Sequence, residues 1–148
     1  YLDDTIFCND RTISYLGGFD PTTGDGFSSF NSLTFSAGTD LLCVNKANSF
    51  SVGNSQAKLK YPVGLLTAAE ANLVGNSILS IGIPYWLLTP YEISNTAKNL
   101  YITEDGNIVD GASVDNNYGI RPVITLKGTL RYTTGDGSMK NPYVIETK

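Results

Sequence analysis

Apolar and polar positions alternate in short bursts along this chain, and the clearest bursts flank one polar stretch. Tyr85-Trp86-Leu87-Leu88 and Val123-Ile124-Thr125-Leu126 are apolar runs of strand length. Between them, Leu100-Tyr101-Ile102-Thr103 alternates as a half-buried strand does, and Glu104-Asp105-Gly106-Asn107 supplies turn residues before Ile108-Val109. The rest of that stretch is Asn, Asp, Ser, Gly and Tyr. The pattern predicts two buried strands in one sheet, bracketing an exposed, tyrosine-studded hairpin. Such a scaffold presents a surface.

The other elements follow from local signals. Thr67-Ala68-Ala69-Glu70 has the spacing of a capping box, in which the Thr hydroxyl accepts from the backbone three residues on and the Glu reaches back. Ala71, Leu73 and Val74 then give an apolar helix face, and Gly75 a left-handed stop. Tyr61 to Leu66 predicts a buried strand entering that helix, and Asn76 to Ile83 a turn or loop leaving it. Downstream, Lys127 to Tyr132 extends the sheet, and Thr133 to Gly137 turns into a last strand, Tyr143 to Glu146. Near the front, Asp4 to Ser14 is a short extended piece running into a turn. Gly17 to Gly38 predicts a long Ω-like excursion pinned by Phe19, Phe27, Phe30 and Phe35. Leu41 to Val44 and Phe50 to Val52 are short strands or turns. The string Thr-Thr-Gly-Asp-Gly at 22–26 recurs at 133–137 and suits tight turns. Read as a calcium loop with Asp20 and Asp25, its first copy lacks the carboxylate density such loops show.

Composition narrows the function classes. At 148 residues, 41% hydrophobic and 16% charged, the chain reads as one globular domain, residues 1–148. Its start, Tyr1-Leu2-Asp3-Asp4, carries neither initiator Met nor signal peptide and reads as part of a longer or processed chain. A net charge of -4 with ten Lys plus Arg spread along the sequence leaves no basic stripe for nucleic acid, and disfavours anionic membrane surfaces too. No run reaches the roughly 20 apolar residues of a membrane span. The longest, Ile78 to Leu88, is broken by Ser80, Gly82 and Pro84, so no membrane insertion is expected of this segment. Cys8 and Cys43 are either a pair, in an exported domain, or two separate buried thiols. The glycine-rich segment between them needs a staple and favours the pair.

Catalytic chemistry finds little to use. There is no histidine, which removes the usual general base, the Ser-His and Cys-His pairs and the commonest zinc ligand. Glu92, Glu104, Asp105, Asp110 and Asp115 lie in the polar stretch, but beside Gly, Asn or Ser, as solvated turn acids do. Gly24-Asp25-Gly26 is not followed by the Lys-Ser/Thr of a phosphate loop. The expectation is a protein that is not an enzyme and uses no cofactor or metal. What remains is paratope-like chemistry, rigid phenols among adaptable amides and hydroxyls. The candidate ligand-binding residues are Tyr91, Asn95, Asn99, Tyr101, Asn107, Asp110, Ser113, Asp115, Asn116, Asn117 and Tyr118.

Four motifs in order carry a resemblance: Phe7-Cys8-Asn9-Asp10-Arg11; Tyr61 to Glu70 (YPVGLLTAAE); Trp86-Leu87-Leu88-Thr89-Pro90 with Tyr101, Gly106 and Tyr118 to Ile124 (YGIRPVI); and Gly135 to Glu146, ending NPYVIE. Together they resemble the C-type-lectin-like modules of Gram-positive bacterial surface and prepilin-associated proteins. That fold is distantly related to the formylglycine-generating enzymes and to retroelement-diversified variable proteins. The resemblance implies an α+β, C-type-lectin-like fold: a twisted, mainly antiparallel sheet, one short capped helix and long loops, with its ends near Asp4 to Ile6 and Tyr143 to Ile145 close together. It implies an extracellular, cell-surface recognition or adhesion domain whose partner is a protein or glycan on another cell. The alternatives are a minor-pilin-like structural subunit contacting neighbouring subunits and a retroelement-diversified ligand binder. Asn116-Asn117-Tyr118 stand where related modules display their binding residues, beside the shared Gly119-Ile120-Arg121. There Gly119 is expected in a conformation closed to other residues, and Arg121 on a buried carboxylate or carbonyls. The late cysteines of the formylglycine enzymes are missing, as are the Trp-Asn-Asp strand and acidic-Pro-Asn loop of calcium-dependent lectins.

Overall fold

The computed structural model describes residues 1–11, 25–26, 43, 45–93, 96–138 and 140–146. The expected Ω-like excursion at 17–38, the Asp20/Asp25 loop and most of 41–44 lie outside the described residues. The elements in chain order are β1 (Leu2–Asp3), β2 (Phe7–Cys8), β3 (Asp25–Gly26), a 3-10 turn (Lys46–Asn48), β4 (Ser49–Phe50), β5 (Val63–Leu65), α1 (Ala68–Val74) and α2 (Asn76–Leu79). There follow β6 (Tyr85–Ile93), β7 (Ala97–Ile102), β8 (Ile108–Ser113), β9 (Pro122–Leu126), β10 (Tyr132–Thr134) and β11 (Val144–Ile145). The fold is α+β, with every pair of named strands antiparallel.

The main body is a four-stranded sheet in the order β3-β6-β7-β8. Period-two alternation decides its faces: Tyr85, Leu87 and Thr89 of β6 and Leu100 and Ile102 of β7 are buried, while Trp86 and Tyr101 look the other way and are half-buried. On the buried face α1 and α2 bring Ala68, Ala71 and Leu79 against Tyr85, Leu87, Leu100 and Ile102, which form the core. The capping box is present: Thr67 Oγ1 accepts from the Glu70 N–H at 3.2 Å, and Glu70 Oε2 accepts from the Thr67 N–H at 2.9 Å. Gly75 ends the helix at φ 88°. The predicted apolar face is corrected, however. Ala68 and Ala71 are the buried positions, and Leu73 and Val74 face outward. Directly after Gly75 the chain makes a second short helix, α2, where a turn or loop was expected.

The two apolar runs that were expected to bracket one sheet belong to two. β9 sits in a separate three-stranded sheet, β1-β9-β5. Neither β9 nor β5 is buried. Val63 opposes Ile124, Leu65 opposes Pro122 and Leu2 opposes Leu126, and this row faces outward, with Ile124 48% exposed. The opposite face is covered at Gly64, where the Phe7 ring lies so close that a Cβ would overlap it. Lys127 to Leu130 forms a turn instead of extending the sheet, and β10 and β11 make their own hairpin with Tyr132 and Tyr143 stacked at 4.8 Å. The N-terminal strand therefore pairs with β9, while Leu126 and Ile145 line one shallow depression of about 240 Å³.

A bulge in β6 joins the two sheets. The register jumps from Trp86↔Tyr101 to Pro90↔Asn99, leaving Leu87, Leu88 and Thr89 opposite a single residue, Leu100. Three groups in the bulge bond elsewhere. The Leu87 carbonyl accepts from Asn99 Nδ2 at 2.7 Å, and the Leu88 N–H donates to the Leu66 carbonyl at 2.8 Å. The buried Thr89 hydroxyl accepts from the Ala68 N–H at 2.9 Å, at the first turn of α1. Pro90, with no N–H to offer the ladder, is tolerated because it falls at this irregularity.

At the front of the domain, the Cys8–Cys43 disulfide fixes β2, with Cα atoms 5.6 Å apart. The motif around it is a clamp on buried Asn48. The Asn9 N–H donates to the Asn48 carbonyl at 2.9 Å, Asp10 Oδ1 accepts from Asn48 Nδ2 at 3.0 Å, and Arg11 donates to Asn48 Oδ1 at 3.4 Å.

Candidate functional site

The outer face of the main sheet carries an aromatic cluster. β6 and β7 place Trp86 opposite Tyr101. Tyr118 closes over both from the segment after β8, with ring centroids 4.7 Å from Trp86 and 4.7 Å from Tyr101. Trp86 and Tyr101 themselves meet edge-on at 6.3 Å. These separations are those of favourable aromatic pairs, so the three rings pack on one another without a ligand. All three rings are half-buried.

Tyr118 is held there by its neighbour. Gly119 bonds to β6 on both sides: its N–H donates to the Pro84 carbonyl at 2.9 Å and its carbonyl accepts from the Trp86 N–H at 3.0 Å. The expectation that Gly119 needs a left-handed backbone is corrected, since it is not among the glycines with positive φ. Close approach is the reason for a glycine here: a Cβ would lie 3.2 Å from the Pro84 carbonyl oxygen and 3.4 Å from Ile83 Cδ1. Two residues on, Arg121 meets carbonyls as expected. Its Nη1 donates to the Tyr85 hydroxyl at 3.0 Å and to the Ile78 and Leu79 carbonyls at 3.4 Å, and its guanidinium sits 5.4 Å from the Tyr85 ring centroid. The Tyr85 hydroxyl in turn donates to the Leu79 carbonyl at 2.9 Å. Arg121 thus ties the end of α2 to β6 and positions the chain that carries Tyr118.

The sequence-derived candidates separate into those that reach this face and those that do not. Tyr101 and Tyr118 form it. Asn116 reaches it through Nδ2, 3.5 Å from the Tyr118 hydroxyl. Asp115 and Asn117 are exposed on the same turn, and Ser113 begins it, exchanging contacts with Asp115 at 3.4–3.5 Å. Three other candidates make contacts within the fold. Asn99 fills the β6 bulge. The Asn107 side chain accepts from Asn76 at 2.7 Å, pinning the β7–β8 turn to α2. Tyr91 packs over Gly111 at the edge of the core. Asn95 lies outside the described residues, and of Asp110 the structure describes only the backbone in β8.

Trp86 was missed as a site residue. In the run Tyr-Trp-Leu-Leu every position is apolar, so the alternation that turns Trp86 outward is invisible until Tyr85 and Leu87 are seen buried on the other side. Also outside the candidates are Ile83, 54% exposed and 3.4 Å from where a Gly119 Cβ would stand, and Ile120, 63% exposed and next to Gly119 in the chain. Among the described residues, no group of three or more His, Cys, Asp or Glu side chains comes together as a metal would need. No helix among them is long and apolar enough to cross a membrane. Chemically, the face offers flat π-surfaces, an amide at its edge and a carboxylate on its turn. It can stack and hydrogen-bond.

No curated protein and no solved structure matches this chain. One family model does, over residues 26–128, a span that takes in the whole aromatic face, the bulge and both helices. The chain belongs to DUF6273, a domain family of unknown function.

Proposed function

We propose that this is a non-enzymatic recognition domain of C-type-lectin-like architecture, exported and displayed on a bacterial surface or pilus, which binds a protein or glycan without metal through Trp86, Tyr101 and Tyr118. The observation that carries the reading is the pre-packed aromatic cluster on the sheet face opposite the core. Rigid rings contribute contact area at small entropic cost, and Trp and Tyr dominate measured binding hot spots. The disulfide suits an oxidising compartment and supports the extracellular placement. The motifs at Phe7 to Arg11 and Gly119 to Arg121 support the architecture, since each does local structural work of the kind a shared fold requires.

The test is retention of the purified domain on glycan arrays and on displayed peptides, with and without chelator. Trp86→Ala and Tyr118→Ala should weaken binding by about tenfold or more, the loss of one hot-spot ring, measured below the melting temperature of each variant. Ligand binding untouched by both substitutions would remove this face from the function. A second reading, a minor-pilin-like structural subunit, is favoured by a different observation: the outward row Val63, Ile124 and Leu126 on the β1-β9-β5 sheet, which a neighbouring subunit would cover. Concentration-dependent self-association abolished by Ile124→Asp would support that subunit role.

A further inference from the structure

The C-terminal part of the chain has a charge of its own. Residues 127–148 carry four Lys or Arg (Lys127, Arg131, Lys140 and Lys148) against two acids, Asp136 and Glu146. This segment is net positive in a chain whose net charge is -4. Its first two cations border the shallow depression of about 240 Å³ between β9 and the β10–β11 hairpin. Leu126, Leu130 and Ile145 line it, with the paired rings of Tyr132 and Tyr143 as a wall. Leu126 is 47% exposed, so this apolar lining stands open to water.

The turn after β9 builds the arrangement. The Leu130 N–H donates to the Lys127 carbonyl at 3.0 Å, folding the chain back so that Lys127 and Arg131 border one depression. Both ends of the turn are tied down: the Lys127 N–H donates to the Tyr1 carbonyl at 3.0 Å, and the Arg131 carbonyl accepts from the Glu146 N–H at 3.0 Å. The charges themselves are not consumed. Lys127 and Arg131 are exposed, the guanidinium meets its neighbour's Leu130 carbonyl at 3.3 Å, and among the described residues neither cation has an ion pair. Asp136 is bonded to Ser138 within its own turn, and Glu146 stands beside Arg131 in the ladder without closing a salt bridge.

We propose that this depression docks an acidic segment of a partner protein, with an apolar or aromatic anchor over Leu126 and Leu130 and neighbouring Asp or Glu side chains on Lys127 and Arg131. Sites for whole small molecules run to about 300–1,000 Å³ and enclose most of the ligand. This one is smaller and shallow, and suits one or two side chains of a larger partner. A polyanion without apolar groups would meet the cations and leave the lining wet. An uncharged apolar segment would leave both cations at its edge without counter-charge. An apolar centre ringed by complementary charge satisfies both, as protein interfaces do. The depression shares no residue with the aromatic face, so the two sites stand or fall separately.

The probe is a random peptide library displayed on phage and selected against the whole domain, with counter-selection on the double variant Lys127→Glu/Arg131→Glu. Selected peptides should share an apolar or aromatic residue within Asp/Glu flanks. Either single reversal should lower the affinity of a synthesised peptide about tenfold or more, chiefly by slowing association. Leu126→Ser should lower it by a similar factor, chiefly by speeding dissociation. Binding should also weaken as salt shortens the screening length from about 10 Å at 0.1 M to about 3 Å at 1 M. Lys140→Glu makes the same change of net charge at an exposed lysine outside the lining and should leave the affinity unchanged, as should Trp86→Ala. Each variant is measured below its own melting temperature. A loss equal in Lys140→Glu and Arg131→Glu would mean that net charge alone acts, and overturns the site. Selection of no peptide, or only of basic or uncharged ones, overturns it too. Self-association of the domain that Arg131→Glu abolishes, with no peptide selected, gives the depression to a second copy and overturns the separate partner.

Discussion

Two residues show how little room the fold leaves. Thr89 is buried, and its hydroxyl is the acceptor for the first-turn Ala68 N–H of α1. Thr89→Val keeps the shape and removes the acceptor, stranding a buried donor. The expected cost is about 1–3 kcal/mol, read as a lower urea midpoint at unchanged m-value. Gly64 has no left-handed backbone to excuse it, and its reason is the Phe7 ring above. Gly64→Ala would overpack that contact and cost about 1–3 kcal/mol, or about 2–4 °C of Tm per kcal/mol. A double substitution, Gly64→Ala with Phe7→Leu, should regain part of the loss. No recovery would mean that Phe7 is not the obstacle.

At the scale of elements, the β10–β11 hairpin stands apart. Among the described residues its strands pair only with each other, and Tyr132 and Tyr143 remain 63 and 53% exposed while packed together at a tilt. Asp136 in its turn accepts the Ser138 backbone N–H at 2.9 Å. That bond, reinforced by the side chains of Ser138 and Asn141, holds the Asp136 carboxyl below its ordinary value of 3.8. A carboxyl depressed in the folded state stabilises above its unfolded value and stops doing so as pH falls through the lower folded one. The hairpin should therefore loosen as pH falls below the ordinary carboxyl value of 3.8, and not at alkaline pH. The Tyr132 and Tyr143 ring resonances report it, and in Asp136→Asn this titration should vanish. Its persistence in the variant would assign the transition to another group.

Across the whole molecule, the disulfide closes a sequence separation of 35 residues, from β2 to the segment just before the Asn48 clamp and β4. In the chain-entropy view that constraint is worth on the order of 3–4 kcal/mol. Cys8→Ser with Cys43→Ser should lower the urea midpoint accordingly, while ligand binding at the aromatic face survives wherever the domain is still folded. The molecule is thus divided between a stapled front, a core under α1 and α2, and a polar-rimmed aromatic end. The β6 bulge ties the main sheet to the entry of α1, because Leu87 bonds to Asn99, Leu88 to Leu66 and Thr89 to Ala68.

The sequence by itself determined the features that depend on near neighbours. The capping box at Thr67 and Glu70 and the Gly75 stop are three- and eight-residue relations, and both stand where the letters put them. The β7–β8 hairpin is equally local: Gly106, at φ 84°, turns the chain between two alternating strands. Which sheet an apolar run joins is not local. Tyr85–Leu88 and Val123–Leu126 look alike as strings, yet one is core and the other a half-exposed row, because only the first has α1 and α2 packed on it. The same limit applies to the site. Tyr101 and Tyr118 were legible as polar-flanked phenols. Trp86 became surface only once tertiary packing had chosen which face of β6 to bury, since in an all-apolar run the chain offers both faces equally to the core.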